Sequence, residues 1–474
     1  MADVVVAVDQ GTSSTKAIAL DATGAIVGRA SVHIGQSHPR PGWVEQDAEE
    51  IAASVVTAIG EAAGGVAGRV AAVALSTQRE SAVIWDRATG APLGPVLGWQ
   101  DRRTTARARE LVEEGHDALV RSISGLPIDP MFSALKFAWL LAEVDARNVA
   151  LGTVDSWLVH RLTGECRIEA GNASRTGLLD LTTVDWSEDL LALYGIPRAA
   201  LPEVVSSDAP TAPIRGVPVL PAGTRVHAVL GDSHAALYGH GLREAGGVKA
   251  TLGTGSSIMG LLDSPKTSLP GLATTLAWAC REPVYAFEGN ILATGATLVW
   301  LSGLLSTTPD ELLALAPSGV AGVDVVPAFG GLGAPWWDND ARAVVTGFDL
   351  GTTPADLALA AAESVCLQVE DVLSAAETAT GSPLRTVLLD GGPAANDWLA
   401  QLMADISGRE FRRPAATGVS ALGAARLAGI AAGLWHDLPD GDSSVFRPRR
   451  GPEWASARQR RWHAAVGLAR HRRT

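Results

Sequence analysis

The chain has 474 residues, of which 47% are hydrophobic and 19% are charged, and its formal net charge is −13. This length exceeds what a single hydrophobic core supports, so two large domains are expected, and the composition excludes a disordered chain. The acidic balance excludes a general nucleic-acid binder, which needs a basic face. An anionic ligand would therefore be held by local backbone N–H groups and a cation rather than by the overall field.

Cysteine usage and hydropathy indicate the compartment. Cys166, Cys280 and Cys366 are scattered without a paired spacing, which is typical of a reduced, cytoplasmic protein. The N-terminal residues lack the basic stretch of a secretory signal, so no signal is expected. No apolar run approaches the ~18 residues of a transmembrane helix, and we predict no membrane partner.

The first half begins with short apolar runs separated by polar turns, a pattern that predicts buried strands. A helix is predicted over residues 48–63, with Asp47 as its N-cap and Glu50 completing an Asp variant of the capping box. Two more helices are predicted at 102–114 and 133–143. The predicted strands cover residues 4–8, 17–20, 25–34, 70–75 and 82–86.

The turn between the first two strands combines a carboxylate, a glycine, four hydroxyls and a lysine, which suits a triphosphate. Hydroxyls and turn N–H groups donate to phosphate oxygens. Asp9 can hold Mg²⁺ through its water shell, and Lys16 can offset phosphate charge. An ordinary polar hairpin turn is an equal alternative. The polar side chains of this turn that we consider are Asp9, Thr12, Ser13, Ser14, Thr15 and Lys16.

The same pattern recurs in the second half. An apolar run at 248–252 leads into the hydroxyl-rich turn 253–257 and a return strand at 258–262. Two such openings predict a duplicated α/β architecture with a cleft between the halves, and we place the boundary in the glycine-rich segment 239–247. The other elements predicted here are a strand at 226–230, a helix at 354–380, a strand at 386–389, and helices at 395–406 and 420–432.

Asp232 is the candidate general base. It follows an apolar strand near the proposed domain junction, and phosphoryl transfer needs a group that orients and deprotonates the attacking hydroxyl. A helix N-cap is the alternative for Asp232. His234 has no partner pattern and is interpreted as structural.

Three other strings carry weaker signals. Residues 253–257 could clamp phosphates from the opposite wall, and residues 390–396 could let a flat base lie against backbone, with Asn396 offering its amide. The Arg79–Glu80 pair and the indole of Trp99 suit the hydroxyl and C–H faces of a polyol. Strand-to-helix turns, surface salt bridges and a core tryptophan are the alternatives.

In combination these strings resemble the FGGY carbohydrate kinases, most closely the glycerol kinases among them, over residues 4–435. The resemblance implies ATP-dependent phosphorylation of a small-molecule hydroxyl with Mg²⁺, and two duplicated actin/hexokinase-like (ribonuclease H-like) domains with an interdomain cleft. It runs through Asp9–Lys16, Gly42–Asp47, Gln78–Glu80, Trp99–Arg103, Phe132–Lys136, Asn172–Thr176, Gly231–Asp232, Gly253–Gly255, Gly331–Pro335, Asp390–Gly392 and Ala421–Ala425.

The resemblance also implies domains and site residues. Residues 1–243 would bind substrate and phosphates, and 244–435 the adenine nucleotide. The Arg-rich composition of the remaining residues, 436–474, predicts a solvated helical tail, with a nucleic-acid-binding tail as the alternative. A homo-oligomer, dimer or tetramer, is compatible with it. By position, the base is Asp232, the metal-associated carboxylate is Asp9, the ATP contacts are Thr12, Ser13, Ser14, Lys16, Thr254, Gly391, Gly392 and Asn396, and the substrate contacts are Arg79, Glu80, Trp99, Met131, Asp232 and Ser233.

Departures from the family pattern concern the substrate wall. Met131 stands where glycerol kinases usually carry tyrosine, Ser233 where they carry glutamine, and Ser257 where they carry phenylalanine, while Lys16 replaces an arginine. These losses of volume and hydrogen-bonding reach predict a roomier pocket for a four- or five-carbon polyol or ketose. The alternatives are a glycerol kinase making glycerol 3-phosphate and an inactive ATP-binding sensor.

Overall fold

The computed structural model describes residues 3–144, 148–265, 269–436 and 441–471. The strands of the first half are β1 (Val4–Gln10), β2 (Ser14–Asp21), β3 (Ile26–His33), β4 (Glu45–Gln46), β5 (Val70–Thr77), β6 (Val83–Asp86), β7 (Val96–Leu97), β8 (Val149–Gly152), β9 (Arg167–Glu169), β10 (Leu179–Asp180), β11 (Asp185–Trp186), β12 (Glu203–Val205) and β13 (Val226–Gly231). Its helices are α1 (Ala48–Ala63), α2 (Thr105–Glu113), α3 (Asp117–Ser124), α4 (Ser133–Glu143), α5 (Val154–Thr163), α6 (Ala170–Ser174), α7 (Glu188–Tyr194) and α8 (Asp232–Gly239).

The second half has its own strands and helices. Its strands are β14 (Val248–Leu252), β15 (Ser256–Leu262), β16 (Ala273–Ala279), β17 (Pro283–Ile291), β18 (Asp324–Val326), β19 (Val344–Thr346), β20 (Thr386–Gly391), β21 (Glu410–Pro414) and β22 (Ser443–Phe446). Its helices are α9 (Gly295–Leu304), α10 (Pro309–Leu315), α11 (Pro354–Thr380), α12 (Asp397–Ser407), α13 (Val419–Ala431) and α14 (Pro452–Arg470).

Each half is built on a sheet of the same strand order. In the first sheet, β13-β5-β1-β2-β3, the strands β1, β2 and β3 are antiparallel neighbours, and β5 and β13 run parallel to β1. In the second sheet, β21-β20-β14-β15-β17 repeats this order and these directions strand for strand. The strands β22 and β16 are added at its two edges. The repeat confirms the predicted duplicated α/β architecture.

The helix predictions hold where the signals are local. The bounds predicted for α1, α4 and α11 are those found, and Asp47 caps α1 by accepting the N–H groups of Glu49 and Glu50. The capping-box prediction is wrong in its second half. The Glu50 carboxylate accepts instead from the backbone N–H of Gly35, at 3.0 Å, and so ties α1 to the end of β3.

The Arg-rich segment forms α14, and one face of this helix is packed against the second half. Trp462 is 1% exposed and donates its indole N–H to Asp371 at 2.7 Å. Arg461 pairs with Asp324 and with Glu363. The interpretation as a solvated helix therefore applies only to its outer face. Among the described helices, none combines the length and apolar character needed to cross a bilayer.

Helices α8 and α13 approach each other through glycine. A Cβ at Gly423 would lie 1.9 Å from the carbonyl oxygen of Ala235, and one at Gly239 would lie 2.4 Å from that of Val419. Close packing of these backbones holds α8, which begins with Asp232, against the sheet.

We expect Gly423→Ala to lower the free energy of unfolding by about 2 kcal/mol, because the added methyl forces the two helices apart. Gly60→Ala in α1 is the matched control, since a Cβ there meets nothing within 4 Å. That change should be neutral or stabilising by about 0.5–1 kcal/mol. Urea unfolding of both variants measures the difference, and equal stabilities would contradict the packing argument.

Candidate active site

Three carboxylates come together at the floor of the cleft. Asp9 lies near the end of β1, Asp232 directly follows β13, and Asp390 lies near the end of β20. Parallel strands bring their carboxyl ends to one edge of a sheet, which is where α/β proteins place their ligands. In this way the sheets of both halves deliver acidic groups to the same point.

The charges of the neighbouring carboxylates act on Asp9. Burial, with the nearby Asp232 and Asp390, raises the pKa of Asp9 to about 6, although a hydrogen bond from Ser76 at 3.0 Å and the charge of Lys16 oppose the rise. Lys16 stands directly opposite Asp9 in the β1–β2 register. A bound cation would offset the cost of ionising this buried carboxylate.

A cavity of about 190 Å³ opens above Asp232. It gathers side chains from both halves, including every residue predicted to contact the acceptor substrate. Its predicted members are Thr12, Arg79, Glu80, Trp99, Met131, Asp232, Ser233 and Thr254, and its wall continues through Thr251, Ser257 and Asn290.

The Asp232 carboxylate is held on one side and open on the other. Its Oδ1 accepts from the Arg79 Nε at 3.1 Å and from the backbone N–H of Ser233 at 2.6 Å. The side chain is 39% exposed and borders the cavity. An oriented, accessible carboxylate can accept a proton from a hydroxyl placed in that cavity.

Arg79 and Glu80 do not form the mutual pair that their adjacency suggests. Their closest charged atoms are 4.0 Å apart, beyond hydrogen-bonding distance. Arg79 instead binds Glu288 with two hydrogen bonds of 2.9 and 2.7 Å. Glu80, whose backbone φ is 62°, accepts from Arg175 at 2.7 Å. Both residues are 5% exposed, so they present only part of their polar surface to the cavity.

Trp99 connects the substrate cavity to the phosphate turn. Its indole N–H donates to the Thr12 hydroxyl at 3.1 Å, and the Gln46 amide donates to the Thr12 carbonyl at 2.8 Å. The indole ring itself borders the cavity. Trp99 thus fixes the turn and still offers a ring to a substrate.

A second, larger cavity of about 850 Å³ adjoins the first and shares Gly253 and Thr254 with it. Gly392 and Asn396 border it, but the Asn396 carboxamide oxygen caps α12 by accepting from the Leu399 N–H at 2.9 Å. The polar turn and apolar wall suit a nucleotide with its base on the apolar side. That apolar wall comprises Ala296, Leu298, Val299, Trp300, Pro309 and Leu313.

Four predicted nucleotide residues, Ser13, Ser14, Lys16 and Gly391, border neither cavity. Gly391 has a structural role that explains its residue type. Its φ is 99°, and a Cβ there would lie 1.9 Å from the carbonyl oxygen of Leu252, so β20 can reach the end of β14 only with glycine at this position.

Sequence reasoning missed Thr251 in the cavity wall and three charged or amide side chains beside it. Glu288 and Asn290 lie on β17, and Arg175 follows α6. A signal existed for Glu288, because a charged residue in an otherwise apolar strand is buried only with partners. No sequence signal pairs it with Arg175, although residues 172–176 carried the family resemblance.

Comparison with known proteins agrees with this geometry. The model of the N-terminal domain of the FGGY family of carbohydrate kinases matches residues 4–239, and that of its C-terminal domain matches 248–432. A glycerol kinase of Alkalilimnicola ehrlichii is 42% identical, over 98% of each chain, and an apulose kinase of Pectobacterium atrosepticum is 40% identical, over 99% of each. The crystal structure of Plasmodium falciparum glycerol kinase with ADP superposes with a TM-score of 0.89 at 27% identity, covering 100% of this chain and 99% of that one.

Proposed function

The chain belongs to the FGGY family of carbohydrate kinases and is an ATP-dependent phosphotransferase acting on an alcohol group, and from that premise we propose that its acceptor is a four- or five-carbon polyol or ketose. We assign the acceptor to the 190 Å³ cavity and the nucleotide to the adjoining 850 Å³ cavity. In this proposal residues 1–243 bind the acceptor and phosphates, 244–435 bind the nucleotide, and 436–474 form the Arg-rich C-terminal tail.

Asp232 acts as the general base. Its accessible carboxylate takes the proton of a terminal acceptor hydroxyl as that oxygen attacks the γ-phosphorus in line with the leaving ADP. Arg79 and the Ser233 N–H hold the carboxylate toward the cavity. Thr12 and Thr254, on turns facing each other across the cavity, donate to phosphate oxygens and limit movement of the transferred group.

The chain's residues fit a bound Mg²⁺. Within the described ranges no cluster of three or more His, Cys, Asp or Glu side chains forms an all-protein cage. Mg²⁺ usually keeps several waters and takes one or two carboxylates with the substrate's phosphates, so no cage is needed. Asp9, crowded by Asp232 and Asp390, would hold it through its water shell. When bound, the ion neutralises charge on the phosphoryl oxygens.

The acceptor proposal rests on one observation, which is the small volume of the side chains that Met131, Ser233 and Ser257 contribute to the cavity wall. The Ser257 hydroxyl turns away from the open space and donates to Glu288 at 2.7 Å. Met131 is 3% exposed and packs with Leu126 and Phe132. All three side chains border the cavity, and none of them carries an aromatic ring or a carboxamide.

The test is ADP release from Mg·ATP with a panel of acceptors. The panel contains glycerol, erythritol, the pentitols, dihydroxyacetone, erythrulose, xylulose and ribulose. We expect kcat/KM for the best four- or five-carbon compound to exceed that for glycerol by about tenfold or more. If glycerol is turned over better than every longer compound, the proposal is wrong and this chain is a glycerol kinase. The 42% identical relative favours that alternative.

A variant separates pocket size from other causes of specificity. Ser257→Phe restores bulk to the wall and should lower kcat/KM for the longer acceptor by about tenfold while leaving glycerol less affected. If both acceptors lose activity equally, then the wall at position 257 does not set acceptor length.

A further inference from the structure

A buried carboxylate behind the acceptor cavity has no role in the mechanism above. Glu288 lies on β17 and is 0% exposed. Burial alone would raise the pKa of Glu288, but Arg175 and Arg79 hold it well below its usual range. Its donors are the Arg79 Nη1 (2.9 Å) and Nη2 (2.7 Å), the Ser257 hydroxyl (2.7 Å) and the Asn290 amide (3.1 Å). The Arg175 Nη1 forms an ion pair with it at 2.9 Å.

Arg79 joins this carboxylate to Asp232. One edge of its guanidinium makes two hydrogen bonds to Glu288, and its Nε donates to Asp232 at 3.1 Å. The aliphatic part of Arg79 packs on Gly231, where a Cβ would lie 2.4 Å from the Arg79 Cδ. Because the guanidinium is planar, its orientation toward Glu288 also fixes the direction of its Nε.

Glu288 accepts two hydrogen bonds from Arg79 and so limits what Arg79 can donate elsewhere. Two guanidiniums, Arg79 and Arg175, face the carboxylates of Glu288, Glu80 and Asp232. Without Glu288, all the N–H groups of the Arg79 guanidinium would be available to Asp232 and the phosphates. The carboxylate that must accept a proton would then be drawn out of the cavity.

We propose that Glu288 is a positioning residue for phosphoryl transfer, which holds Arg79 in the orientation that aims the Asp232 carboxylate into the acceptor cavity. Glu288 belongs to the second sheet, whereas Arg79 and Asp232 belong to the first half. The carboxylate is therefore correctly aimed only when the two halves meet as they do here. The inference rests on the proposed role of Asp232 as the base.

Glu288→Gln tests the proposal, because it keeps the size of the side chain and removes its charge. We expect kcat to fall by about 10²-fold, as for a misplaced catalytic group. The KM for ATP and the affinity for ADP should stay within about threefold of the parent values. Thermal unfolding is measured alongside.

Glu363→Gln is the matched control. Glu363 is likewise buried and paired with two arginines, Arg458 and Arg461, but it lies on α11 away from both cavities. The Glu363→Gln variant should lose stability as Glu288→Gln does, but its kcat should stay within about twofold of the parent value. A kcat loss in Glu288→Gln no larger than in this control would overturn the proposal.

A double variant separates positioning from a structural role. If Glu288 acts through Arg79, adding Glu288→Gln to Arg79→Gln should lower kcat by less than about twofold further. If the kcat losses of the two single variants multiply in the double variant, the proposal is contradicted. The double variant removes both buried charges together, so it keeps the test available if the single variant does not fold. Full activity of Asp232→Asn would instead refute the underlying mechanism, whatever Glu288 does.

Discussion

Asp232→Asn is expected to lower kcat by about 10³-fold, within the range that a positioned general base contributes. The Oδ1 of asparagine can still accept from the Arg79 Nε and the Ser233 N–H, which contact Oδ1 of Asp232 in the parent. The local geometry is therefore retained, and only the capacity to take a proton is lost. Affinity for ADP should change by no more than about twofold, because the nucleotide cavity does not include Asp232.

The measurement is ADP release with the best acceptor, corrected for ATP hydrolysis without acceptor, together with calorimetric ADP binding. Asp189→Asn is the control. Asp189 is an exposed aspartate in the first turn of α7, and Asp232 likewise lies in the first turn of its helix, α8. The control should retain full activity. Activity of Asp232→Asn near the parent value would remove Asp232 from the mechanism.

Asp9→Asn is expected to weaken catalysis and strengthen the fold. The carboxylate that would hold Mg²⁺ through water is lost, so the concentration of Mg²⁺ needed for half-maximal rate should rise by about 10–100-fold. The parent rate should also fall below about pH 6, where Asp9 takes up a proton.

The stability effect follows from the direction of the shift. The pKa of Asp9 rises from 3.8 to about 6 on folding, so the folded protein binds a proton that the unfolded chain has released between those values. Stability is therefore lost as pH rises through this window and stays lower above it. Asparagine avoids that loss, and without Mg²⁺ at pH 8 the variant should be more stable by about 1–3 kcal/mol.

Urea unfolding at pH 8 and pH 4, with and without Mg²⁺, tests this prediction. The advantage of Asp9→Asn should shrink to about 0.5 kcal/mol at pH 4, where the folded parent is almost fully protonated and the unfolded chain, with its pKa of 3.8, is roughly 40% protonated. Added Mg²⁺ should stabilise the parent more than the variant. A variant that is less stable than the parent at pH 8 would show that burial and the charges of Asp232 and Asp390 do not raise the pKa of Asp9.

The sequence by itself determined the elements whose signals are local. The starts of α1 and α11 follow from local signals, the N-cap Asp47 and the first-turn Pro354, and the repeated strand–turn–strand openings indicated two related halves. It also placed Asp9 and Asp232 at the ends of strands, where a cleft would form.

Only the tertiary structure decided the partners of the charged side chains. Arg79 and Glu80 are adjacent in the chain, yet they bind Glu288 and Arg175, which lie 209 and 95 residues away. Glu50 completes no capping box, because Gly35 offers it a donor across the α1–β3 contact. A buried charge must find a partner, but which partner it finds depends on the packing of two sheets, and no local pattern records that packing.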